Sequence, residues 1–187
     1  MRTTKTLRLI VACLLLVSLA APAQKRKYGN AKTTPKPAVP VPVVAAIDTD
    51  GLKSLVTKPR ERPLLVNFWA TFCDPCREEF PDLVKIDKDY RPQSLDFVTV
   101  SLDDVTDIKT EVPKFLEAMK ATMPAYLLDV TDPEPAIKLM DPRWSGALPA
   151  TFLYNEKGEE VFKHYGRVDP AELRTAIEKL VKKGDGQ

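Results

Sequence analysis

Leu64-Leu65-Val66-Asn67-Phe68-Trp69-Ala70-Thr71-Phe72-Cys73-Asp74-Pro75-Cys76-Arg77-Glu78-Glu79-Phe80 is the stretch that decides the fold. Residues 64–70 form a nearly continuous apolar run, the pattern of a central strand covered on both faces. From Asp74 to Tyr90 the residues Phe80, Leu83, Val84 and Ile86 recur at helical intervals. Pro75 sits near the first turn of that helix, where its missing N–H does no harm, and Pro81 inside it is expected to introduce a kink. A buried strand therefore gives way directly to a helix, with two cysteines at the junction.

Toward the C-terminus the pattern alternates. Leu95 to Leu102 is rich in β-branched residues and reads as a second strand. A helix follows from about Asp107 or Val112 to Lys120, carrying Phe115, Leu116 and Met119. A short strand at Tyr126 to Asp129 and a brief helix at Glu134 to Met140 come next. Residues 150–155 and 159–165, separated by Glu156-Lys157-Gly158, predict a β-hairpin, and Asp169 to Lys183 predicts an amphipathic closing helix with Leu173, Ile177 and Leu180 inward. This order makes an α/β sandwich around one mixed sheet.

Toward the N-terminus the composition changes. Residues 1–23 carry Arg2, Lys5 and Arg8 with no acid, then an apolar run of 13 residues from Leu9 to Ala21 and the triplet Ala21-Pro22-Ala23. This is the layout of a secretory signal peptide cleaved after Ala23. An uncleaved anchor is the alternative, although the run falls short of the ~20 residues that cross a bilayer as a helix. Residues 24–46, with Pro35, Pro37, Pro40 and Pro42 among small and basic residues, read as an extended, semi-rigid linker. The domain is expected over 47–184.

The formal net charge of +2 conceals this division. Residues 48–187 hold 20 basic against 26 acidic side chains, so the globular part is acidic. An acidic body does not neutralise phosphates, which argues against nucleic acid as a partner. The 187 residues have room for one ordinary domain, and 44% hydrophobic with 29% charged residues excludes wholesale disorder.

The chemistry rests on Cys73 and Cys76. Three residues apart on a first helical turn, their sulfurs can approach closely, and the free N–H groups with the helix dipole favour a thiolate at the first. A thiolate so placed attacks disulfides, and Pro75 restricts the backbone between the two sulfurs. A reversible dithiol and disulfide pair needs no cofactor. A zinc site needs about four ligands, whereas beyond these two cysteines the chain past the leader has only His164 as a further soft ligand, so no metal is expected.

The segment 64–80 with the following Pro81-Asp82-Leu83, together with Gly146-Ala147-Leu148-Pro149-Ala150-Thr151-Phe152, resembles the thioredoxin superfamily, and most of all its exported TlpA and ResA branch of thiol-disulfide oxidoreductases. The resemblance runs from about residue 47 to 183. It implies a thioredoxin-like α/β/α sandwich with a central mixed sheet and an insertion before the strand that follows a cis Leu148-Pro149 peptide. That peptide should face the cysteines, where neighbouring backbone can pair with an extended substrate chain. Trp69, Phe72, Asp74, Pro75, Leu148 and Trp144 are the expected docking residues, although for Trp144, five residues before Pro149, a core plug is the commoner role of an aromatic in a loop.

Two departures from the wider family stand out. Cytosolic thioredoxins carry a buried Asp in this strand where the chain has Asn67, which is no proton acceptor. In the ResA-like branch an acidic residue just after the motif has that task, and Glu79 matches it, three residues past Cys76 on the same helical face. If partly buried, it should bind its proton more tightly. The second departure is Phe72, where the family usually has Trp. The expected catalytic set is thus Cys73, Cys76, Glu79 and Pro149.

Asp74, Glu78 and Glu79 put negative charge near the sulfurs, which disfavours the thiolate and favours the disulfide, the bias of a reductant. The expected partners are disulfide-containing proteins, apocytochrome c among those the resemblance suggests, and a membrane-bound electron donor in a periplasmic or other extracytoplasmic compartment. A peroxidase is one rival, but the Thr such enzymes place three residues before the reactive Cys is absent: Ala70 stands before Cys73, and Cys73 before Cys76. A Cu(I) metallochaperone holding the ion between two thiolates is the other.

Overall fold

A computed structural model describes residues 42–92 and 94–181. The leader over 1–23, most of the linker and the end of the domain at 182–184 lie outside the described residues. The elements run in the order β1 (Val44–Ile47), α1 (Thr49–Thr57), β2 (Leu64–Trp69), α2 (Asp74–Tyr90), β3 (Asp96–Ser101), a 3-10 turn (Val105–Lys109), α3 (Glu111–Met119), β4 (Ala125–Leu128), α4 (Glu134–Met140), β5 (Ala150–Tyr154), β6 (Glu160–Tyr165) and α5 (Pro170–Val181). They form one six-stranded sheet in the order β1-β4-β3-β2-β5-β6. The four strands from β1 to β2 are mutually parallel, and β5 and β6 add on antiparallel.

The pleat of β2 sorts the core into two layers, since alternate side chains leave opposite faces. Leu65 and Trp69 join Phe80, Leu83 and Ile86 of α2, Phe115 and Leu116 of α3, and Leu173 and Ile177 of α5. Leu64, Val66 and Phe68 face the other way, against Leu52 and Val56 of α1 and Ile137 and Met140 of α4. All six residues of β2 are buried, as the apolar run demands. Asn67 shares the face of Leu65 and Trp69, and so points toward α2.

Two elements had no sequence expectation. Val44–Ile47 is a strand rather than the end of the linker, so the sheet begins inside the stretch assigned to 24–46. It pairs along β4, with Val44 opposite Ala125 and Ile47 opposite Leu128. The prolines before it hid it, yet a proline is harmless just ahead of an edge strand. Helix α1 follows, capped by Asp48, whose side chain accepts from Gly51 N–H at 2.7 Å. Helix α2 runs through Pro81 as one element. Among the described residues, no helix is long and apolar enough to cross a membrane.

Candidate active site

Cys73 is the N-cap of α2, and its Sγ accepts from the N–H of Cys76 at 3.2 Å. A sulfur there meets the free amides and the positive end of a 17-residue helix, a setting that favours a thiolate in the reduced protein. The two cysteines are joined in a disulfide with 5.3 Å between their Cα atoms. Their exposure is unequal: Cys73 is 8% accessible and Cys76 0%. Pro75 occupies the first turn, as its spacing suggested.

Beneath the motif lies a buried polar group. Glu79 is 2% exposed. Its Oε1 accepts from Asn67 Nδ2 at 2.9 Å and its Oε2 from the Val168 N–H at 3.1 Å. Burial pushes the carboxyl from 4.5 to about 7, with the Val168 and Asn67 donors and Arg167 pulling the other way and losing. Asn67 also donates to Thr151 Oγ1 at 3.2 Å, while its own Oδ1 is buried with no hydrogen-bond partner. Asn67, Val168 and Thr151 were not among the expected site residues. Only Asn67 stood out in the sequence, as the residue in place of a buried Asp of the wider family, and there it marked a missing proton acceptor rather than a support for Glu79.

The peptide before Pro149 is cis. Leu148 is half-buried and shares with Cys73 a cleft of about 650 Å³, lined also by Phe72, Asp74, Pro75 and Ile137. Gly146 forms part of its wall with φ +82°, a left-handed backbone conformation that favours glycine, close against the Ile137 side chain of α4. Phe72 is 74% exposed, the largest apolar side chain left open beside the cysteines.

Two expected docking residues are elsewhere. Trp69 is fully buried, its ring 5.0 Å from Phe80 and 4.4 Å from Phe115, because its place in β2 turns it under α2 and α3. Trp144 is 1% exposed, packed 5.0 Å from Phe68 and 5.6 Å from Phe152, and its indole N–H donates to Ala147 C=O at 2.9 Å. Neither presents a surface to a partner. Pro149 is itself buried, and its carbonyl accepts from Gly166 N–H at 2.8 Å. His164 lies half-buried in β6 opposite Thr151. Among the described residues, no three His, Cys, Asp or Glu side chains are grouped to hold a metal ion.

The chain is similar to known proteins. Residues 34–162 match the AhpC/TSA family model. The thiol-disulfide oxidoreductase ResA of Geobacillus thermodenitrificans is 30% identical over 159 residues, covering 83% of this chain and 86% of its own length. The ResA of Bacillus subtilis is 29% identical over 120 residues, or 61% of this chain and 59% of its own. Among solved structures, the thioredoxin domain of a Bacteroides vulgatus thiol-disulfide oxidoreductase superposes with a TM-score of 0.54 at 27% identity, covering 65% of this chain and 81% of that one. A six-stranded mixed sheet, a disulfide capping the helix after its central strand and sequence matches of this extent lead to one assignment: the chain belongs to the AhpC/TSA family, among relatives that are thiol-disulfide oxidoreductases.

Proposed function

We propose that the protein is an exported protein-disulfide reductase that works through the Cys73 and Cys76 dithiol. The observation that carries this reading is the disulfide at the α2 N-terminus, one helical turn ahead of a buried carboxyl whose proton affinity burial raises. The Cys73 thiolate attacks a disulfide of the partner, forming a bond between Cys73 Sγ and one partner sulfur and expelling the other as a thiolate, which takes up a proton. Cys76 then gives its proton to the Glu79 carboxylate and attacks Cys73 Sγ. The internal disulfide forms, the second partner sulfur leaves, and two electrons have passed to the partner. A carboxyl that titrates near 7 is suited to taking that proton and returning it when the disulfide is reduced again.

Phe72, Leu148, Asp74 and Pro75 receive the partner chain in this scheme, and the cis Leu148-Pro149 peptide bounds the site. The reducing direction is supported by the acidic side chains around the motif, which oppose the thiolate and so favour the oxidised enzyme. Recharging falls to a membrane-bound donor. The signal-peptide layout of residues 1–23 supports export to a periplasmic or other extracytoplasmic space. The cysteine pairs of apocytochrome c are the proposed substrates in cytochrome c maturation.

Replacing Cys76 by Ser tests the scheme. The variant should accumulate a mixed disulfide between Cys73 and its partner, visible as a dithiothreitol-sensitive adduct, while wild-type protein reduces insulin disulfides. If no covalent partner accumulates on the variant and insulin is left intact by the wild type, the scheme fails.

A further inference from the structure

The loop between β2 and α2 is held by a group that the reaction scheme leaves unused. Asp103, just past β3, is 6% exposed and accepts at both carboxylate oxygens. The Thr71 N–H reaches Oδ1 at 3.1 Å and Oδ2 at 3.0 Å, and the Thr71 hydroxyl donates to Oδ1 at 2.6 Å. Ser101 Oγ donates to Oδ2 at 2.5 Å. On the other side of the same residue, Arg77 Nη2 donates to the Thr71 carbonyl at 2.9 Å while its guanidinium lies 5.1 Å from the Phe115 ring centre. Thr71 is thus gripped at its N–H, its hydroxyl and its C=O, two residues ahead of the attacking sulfur.

Asp103 also lines the cleft that holds Cys73. Among the described residues lining it, Asp74 and Asp103 are the ionisable side chains besides Cys73 itself. The other charged groups near the motif are spoken for: Arg77 by Thr71, Glu78 by Arg167 at 3.0 Å, and Glu79 by Asn67 and Val168. The 145–148 segment and α4 contribute Ser145, Gly146, Leu148 and Ile137 to the cleft and no charge.

We propose that Asp103 is a positioning residue of this site, fixing Thr71 and with it Phe72 and Cys73, and keeping a negative charge in the cleft beside the attacking sulfur. Its charge opposes the Cys73 thiolate, while the Thr71 and Ser101 donors partly neutralise that charge. The strength of these bonds therefore sets how reducing the dithiol is. The inference rests on the dithiol reading of Cys73 and Cys76.

The test compares the full chain with its Asp103→Asn and Thr71→Val variants. The pH midpoint of Cys73 alkylation and the equilibrium of the dithiol with a glutathione series are measured for each. Asp103→Asn keeps an oxygen for the Thr71 N–H and removes the charge. Its alkylation midpoint should fall by about half a unit to one unit, and its equilibrium should move about three- to tenfold toward the dithiol. Thr71→Val strips one donor from a retained carboxylate, so the midpoint and the equilibrium should move in the opposite direction. A scaffold role alone would move the two variants together or not at all, and either result overturns the proposal. Should Asp103→Asn fail to fold, Thr71→Val decides: an unchanged or lowered midpoint refutes it. A wild type that shows no equilibrium with glutathione overturns the dithiol reading itself, and this inference with it.

Discussion

Replacing Glu79 by Gln separates the proton chemistry of the site from its architecture. The carboxyl is buried and displaced upward from 4.5 to about 7, so the folded chain holds its proton where the unfolded chain has released it. A raised carboxyl contributes stability that is fully present below its unfolded value and is lost as pH rises through its folded value. The displacement is worth about 3 kcal/mol, which wild-type protein should lose between about pH 4.5 and about pH 7. Gln has no proton to lose. Its amide can also be accommodated, because Asn67 Oδ1 has no partner and a rotated Asn67 amide would offer it to the new N–H₂ while Gln oxygen keeps the Val168 N–H.

The variant should therefore gain up to about 3 kcal/mol over wild type at about pH 8, or about 10 °C in melting temperature, and nothing at about pH 4. Over the same range it should lose insulin reductase activity, and the inflection near pH 7 should vanish from its pH–rate profile. Urea titrations at the two pH values and a pH series of turnover measure both effects. A Glu79→Gln variant that is no more stable at the higher pH, with a wild-type rate profile, would refute both the buried charge and its part in proton transfer.

Phe72→Ala should leave stability within about 0.5 kcal/mol, since the ring is 74% exposed, and raise KM for protein disulfides without slowing attack on a small disulfide reagent. Trp144→Ala should cost about 3–5 kcal/mol in chemical denaturation, because it empties a packed aromatic site and leaves the Ala147 carbonyl without its donor. Asp141 accepts from Tyr165 at 2.8 Å and from the Arg143 N–H at 2.7 Å and pairs with Lys163. The Lys163 contact, foremost, holds its carboxyl well below the usual range. Its stabilisation is present above the ordinary carboxylate value and fades as pH falls toward the depressed one, so Asp141→Asn should be less stable than wild type at neutral pH, by a margin that narrows in acid.

The strand β2, the helix α2 and the hairpin β5–β6 were legible because each imposes a period or a turn on the sequence: a run of apolar residues, a helical repeat, a glycine between alternating segments. The cysteines were legible for the same reason, since their place at a strand-to-helix junction already defines their chemistry. What lay hidden is what depends on direction. Trp69 stands four residues before Cys73 and Trp144 five before Pro149, and nothing in their spacing tells that one turns under α2 and the other into the Phe68 and Phe152 cluster. Asn67 could be seen to lack a proton-accepting group, yet its value as a donor to Glu79 arises from a pleat that aims it at a residue 12 positions away. Asp103 sits in an acidic loop with nothing to distinguish it from Asp104, and only the return of β3 beside β2 brings it to Thr71.

The unequal accessibility of the two sulfurs has a consequence for survival among small thiols. A stray small disulfide such as oxidised glutathione meeting the reduced enzyme, or a small thiol meeting the oxidised one, reaches only Cys73, and the mixed disulfide it forms there stands within range of the Cys76 thiol, which no outside molecule can occupy first. Whatever is captured is thereby ejected by the enclosed sulfur, and the enzyme clears itself of dead-end adducts without a dedicated repair partner.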